Sequence, residues 1–188
     1  MGRGGNAKGT GIGPVEIFAG TLLRGRHAQA IDPEEQAPAR PAPITSLSSE
    51  QDILQAVDRG LIPNRLAPSG RAAQRSQITF IARSAELSAQ SRGGGKHYRG
   101  YIGVRPAEGG GLELIGAVTY GPWHNPESHF KIYCSGEDLE TTIAKVNKRL
   151  EEKQGPGGRS VYTAVPGTGP ALLDRSEVFR QATRMLRR

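Results

Sequence analysis

The sequence holds little that could staple, span or stack. A single cysteine, Cys134, among 188 residues excludes an intramolecular disulfide framework and a cysteine-based zinc cluster. Aromatic residues make up 5% of the chain and hydrophobic residues 36%, which implies that part of it contributes little to a core. No stretch approaches the roughly 20 apolar residues that span a bilayer. The most apolar N-terminal run, 15–23, contains Glu16 and Gly20 and lacks a small-residue cleavage site, so it makes a poor secretory core. The chain therefore reads as soluble, cytoplasmic or exported without a cleavable signal peptide.

What is abundant is glycine, proline and positive charge. Glycine dominates residues 2–13, and proline with alanine crowds residues 37–43, a composition that favours extended chain over packing. Residues 1–44 are accordingly expected to be a flexible arm, and 45–188 a basic α+β domain. The net charge is +7. The arm carries five basic and four acidic side chains, so the positive field belongs almost wholly to the domain. Such a field favours nucleic acid or another polyanion as partner.

Periodicity outlines the domain. Ser48 or Ser49 caps a predicted helix over 50–59, and Ile53, Leu54 and Val57 share one face. Residues 77–83 alternate as a half-buried strand, and 84–96 reads as an exposed loop. Strands are predicted at 97–105 and 112–120, joined across three glycines, with another at 129–134. A helix capped by Ser135 follows, burying Leu139, Ile143, Val146 and Leu150. A strand at 160–165 precedes a last helix opened by Asp174 and Glu177, with Val178, Ala182 and Met185 inward. This order predicts a mainly antiparallel sheet of about five strands with helices on one face.

Strand alternation then proposes a site. Placing Tyr98, Ile102, Val104, Phe130, Ile132 and Cys134 inward leaves His97, Arg99, Tyr101, Arg105, His129, Lys131 and Tyr133 outward. Cations interleaved with aromatics suit single-stranded nucleic acid, whose phosphates pair with Arg and Lys and whose bases stack on rings. Arg180, Arg184 and Arg188 recur at helical spacing on the last helix and form a second basic surface. Arg99, Tyr101, Arg105, Tyr133, Arg180, Arg184 and Arg188 are thus the expected nucleic-acid or anion contacts, with RNA favoured.

Two other readings compete. His129 as acid–base group, Lys131 beside it and Arg99 or Arg105 as anion clamp would suffice for metal-free chemistry on a phosphate-containing substrate, as in a small secreted effector or toxin. Alternatively, an N-terminal arm before a compact basic domain suits a virion or other assembly subunit, with self-association. His124, Glu127 and His129 lack metal-ligand spacing, since Pro126 forbids a regular helix there. No metal and no cofactor are expected.

Overall fold

A computed structural model describes residues 44–69, 77–90, 94–157 and 160–186. The expected arm lies outside the described residues apart from Ile44, as does Arg188. Within them, an α+β fold pairs a six-stranded antiparallel sheet with three helices on one face. The elements are α1 (Glu50–Asp58), β1 (Thr79–Arg83), β2 (Leu87–Ala89), β3 (Lys96–Pro106), β4 (Leu112–Pro122), β5 (His129–Ser135), α2 (Leu139–Gln154), β6 (Thr163–Ala164) and α3 (Arg175–Met185). The sheet runs β5-β4-β3-β2-β6, and β1 pairs with the far half of β3.

The long β3–β4 hairpin is the frame. Its register runs unbroken from Lys96↔Pro122 to Pro106↔Leu112. β1 and β2 share β3 as partner because the chain breaks between them at Ser84. The Ser84 hydroxyl accepts from Gly100 N at 2.9 Å and donates to Ala85 O at 2.8 Å, which ties the break to β3. The expected loop over 84–96 therefore contains a strand, and Leu87 and Ala89 are buried. Three residues are too few to show alternation; pairing with β3 supplies the order.

Helix α2 lies over β3 and β4, burying Leu139, Ile143, Val146 and Leu150 as its periodicity demands. Two glycines let it approach. A Cβ at Gly100 would sit 2.7 Å from Val146 Cγ1, and one at Gly116 would sit 2.8 Å from Val146 Cγ2. The cap differs from expectation. Asp138, not Ser135, takes the N-cap, accepting from Thr141 N at 2.8 Å; Ser135 is still in β5. α1 begins at a Ser49–Asp52 capping box and α3 at Asp174, whose carboxylate accepts from Glu177 N. The expected strand at 160–165 shrinks to β6, two exposed residues paired with β2. Among the described residues no helix is long and apolar enough to cross a membrane.

The face away from the helices is not open. Ile78, Phe80, Tyr101, Ile115 and Ala117 form a second buried cluster there, with Leu66, Phe130 and Ile132 packed against it. Asn64 fastens the covering segment by donating to Ile78 O at 2.7 Å and accepting from Phe80 N at 3.0 Å.

Candidate nucleic-acid interface

The register of β5 against β4 decides which side chains meet. Tyr120 pairs with His129 and Val118 with Lys131, whereas Thr119 pairs with Phe130 and Ala117 with Ile132. Directly paired residues point to the same side of an antiparallel sheet. His129 and Lys131 therefore share the helix-bearing face with Tyr98 and Val118, while Phe130 and Ile132 join the second core. An irregularity between Gly116 and Ala117 inserts Tyr133, so that Tyr133 and Cys134 both pack toward the helices. The expectation of one exposed face holding all seven polar residues is corrected. His129, Lys131 and Tyr133 lie on one side of the sheet, and His97, Arg99, Tyr101 and Arg105 on the other.

On the helix-bearing side, β5 and α2 line a cationic groove. Tyr133, Lys145, Lys148 and Arg149 enclose about 230 Å³. The Arg149 guanidinium stands 4.7 Å and the Lys131 ammonium 5.0 Å from the Tyr133 ring centre, a cation–π arrangement from two elements. The neighbouring Tyr98 phenol is pushed up by burial and by Tyr133. Arg149 pairs with Glu152 at 2.6 Å, and Lys145 pairs with Glu137. Among the described residues no carboxylate pairs with Lys131, Lys148 or Lys153.

The same face continues toward the start of β5 as an aromatic cup. Tyr120 stacks on His129 at 4.9 Å and 7°. Gly95, Lys96, His97, Gly121, Pro122 and Tyr162 complete a recess of about 310 Å³. Tyr120 is 38% exposed and stands between His129 and Tyr98, the latter stacked at 6.2 Å and 22°. Ser128 Oγ lies 2.9 Å from His129 Nδ1 and fixes the imidazole. Sequence reasoning had no signal for Tyr120 or α2 as parts of this surface, because both depend on pairing and packing.

On the opposite side, Arg99, Tyr101 and Arg105 are engaged. Arg99 donates to Glu86 at 3.1 Å and Arg105 to Glu113 at 2.6 Å. Tyr101 is fully buried, and its hydroxyl donates to Glu127 Oε1 at 2.5 Å. Glu127 Oε2 accepts from Ser69 N and Ser69 Oγ at 2.6 and 2.8 Å. His97 is buried beneath Trp123, ring centres 4.6 Å apart, and Trp123 itself is 64% exposed. The Arg99 and Arg105 clamp imagined beside His129 and Lys131 is thus across the sheet from them.

On α3, Arg180 is exposed but paired with Glu177. Arg184 is exposed and pairs with no described carboxylate. α3 packs on β1, toward the edge of the sheet opposite β5, so its arginines and the groove form separate surfaces.

Glu127 gives a pH prediction. Burial works to raise its carboxyl, but the bonds from Tyr101 and Ser69 and the charge of Arg99 outweigh it, leaving the group below its ordinary 4.5. A depressed carboxylate contributes stability above its unfolded pKa and loses it as pH falls through the folded one. Thermal unfolding from neutral pH to about pH 3 should therefore show a shallower acid loss in Glu127→Gln than in the wild type. An identical slope would exclude Glu127 as a contributor.

These features define the described residues as an α+β domain with a cationic groove and an aromatic cup along β5. Comparison with protein-family models, curated proteins and solved structures finds no match. Among the described residues no three His, Cys, Asp or Glu side chains cluster as metal ligands would.

Proposed function

We propose that the protein binds single-stranded nucleic acid, RNA foremost, along the β5–α2 groove. The observation that carries this is the row His129, Lys131 and Tyr133 on one face, with Lys148 and Arg149 above it and the Tyr120–His129 stack at its end. Alternate residues of a strand are about 6.5–7 Å apart, a spacing that successive nucleotides of an extended strand can follow. Lys131, Lys148 and Lys153 supply charge not already neutralised by a described carboxylate, and stacking against the Tyr120–His129 ring pair would hold a base irrespective of sequence. RNA is favoured because it most often offers unpaired bases.

Fluorescence anisotropy with a labelled oligonucleotide, read across salt concentrations, tests this. Affinity should fall as salt rises, with a log–log slope of roughly −0.7 per phosphate contacted. Replacing Lys131 and Lys148 together by Ala should flatten that slope by about 1.4. Tyr120→Ala should weaken single strands by about 1–3 kcal/mol and affect a blunt duplex much less. Affinity that is insensitive to salt and to the double lysine change would overturn the proposal.

A further inference from the structure

On the face of the sheet opposite the groove, Arg83, Glu86, His97, Arg99, Thr119 and Glu127 line a cavity of about 190 Å³. Set against about 30 Å³ per molecule of liquid water, that is room for several waters or for a four-oxygen anion with a short organic tail. Hydrogen-bonding capacity indicates which kind of guest suits it.

Every carboxylate oxygen in the cavity already has a partner. Glu127 takes Tyr101 on one oxygen and Ser69 twice on the other. Glu86 meets Arg99 with Oε2 and the His97 ring with Oε1, the latter in a close contact that lacks hydrogen-bond alignment. Donors, by contrast, are left over. Arg99 Nε is a buried donor with no described group hydrogen-bonded to it, and His97 Nε2, also buried without a described partner, donates or accepts according to its tautomer. The Thr119 hydroxyl makes no hydrogen bond to a described group, and Arg83 pairs with no described carboxylate. Arg83 is nonetheless held in place. Its backbone N–H donates to Gln181 Oε1 and its carbonyl accepts from Gln181 Nε2, both at 3.0 Å. The register Arg83↔Tyr101 directs its side chain to this face.

Buried donors lacking acceptors are costly to leave so, and a cavity with surplus donors favours a guest rich in acceptors. We propose that this cavity binds a small oxyanion, a phosphate or carboxylate group, with Arg83 as the principal cation and Thr119 and Arg99 as further donors. Two guanidiniums in one pocket match the planar, two-oxygen edge of such groups. A cationic guest would find each carboxylate oxygen already engaged. The site is separate from the groove and does not depend on nucleic-acid binding.

NMR titration of the full chain in chloride buffer at constant ionic strength tests the proposal, using inorganic phosphate, methyl phosphate, acetate and methylammonium as probes. Saturable shifts of Arg83, Arg99 and Thr119 amides with an oxyanion are expected. Arg83→Gln should weaken that response tenfold or more, and Thr119→Val should weaken it while preserving the packed shape. The Lys131→Ala/Lys148→Ala protein should retain it, which separates this cavity from phosphate bound in the groove. Response to the phosphates or to acetate assigns the class of oxyanion. Shifts that are non-saturable, equal in Arg83→Gln, or produced only by methylammonium would mean that the cavity holds water or a cation, and would overturn the proposal.

Discussion

Leu150→Ala should destabilise the protein by about 2–5 kcal/mol, the range for emptying a buried leucine site. Leu150 is fully buried in the last turn of α2 and lies over Gly100, where a built Cβ would come within 3.2 Å of Leu150 Cδ1. The sheet beneath offers no side chain at Gly100 that could collapse into the space. A cycle with Gly100→Ala sharpens the test. Alone, Gly100→Ala forces a methyl against Val146 Cγ1 at 2.7 Å and against Leu150, and overpacking of this kind costs about 1–3 kcal/mol. In the Leu150→Ala background one of the two obstacles is gone, so the double variant should lose less than the sum of the single losses. Denaturant unfolding with unchanged m-values measures all four proteins. Strict additivity would mean that α2 does not rest on Gly100.

Gly121→Ala is the second large effect, and it acts through a loop. A Cβ there would lie 2.2 Å from Asn125 O and 2.5 Å from Ser128 Oγ. Backbone cannot yield as a flexible side-chain tip can, so the 122–128 turn must move. That turn is held by Asn125 N donating to Pro122 O at 2.9 Å and by Trp123 N donating to Gly95 O at 2.8 Å. It also delivers Glu127 to Tyr101 and Ser69. Overpacking should cost about 1–3 kcal/mol, and stranding the buried Tyr101 hydroxyl a similar amount again. Near-ultraviolet circular dichroism and Trp123 fluorescence should change along with the melting temperature, because Trp123 would leave His97. A wild-type spectrum with wild-type stability would show that the turn does not pack on Gly121.

The elements that could be read from the chain are those whose signals are local. The stripe Leu139, Ile143, Val146 and Leu150 is buried as its spacing requires, and the Asp174–Glu177 start of α3 is where the cap residues place it. The hairpin strands 96–106 and 112–122 extend only one or two residues beyond their alternating cores. Signals that compete locally were harder to resolve. Ser135 and Asp138 are both competent caps for α2, and the extension of β5 through Ser135 leaves that role to Asp138. Leu87–Ala89 takes its order from pairing with β3 on one side and β6 on the other.

The candidate site divides along the same line. Composition and charge count alone place the positive field on the domain, and alternation alone keeps His129 with Lys131 and Tyr98 with Ile102 and Val104. Each of these is a relation within one segment, set by covalent geometry. Only the tertiary structure decides that the Lys131 row lies opposite the Arg99 row, because the relative face of two strands depends on their register. A polar row and an apolar row of equal period fit either side when both faces of a sheet carry apolar cover, as here. The positive field therefore becomes a groove where α2 lies beside β5, while Arg99, Tyr101 and Arg105 are drawn into bonds with Glu86, Glu127 and Glu113 on the other side.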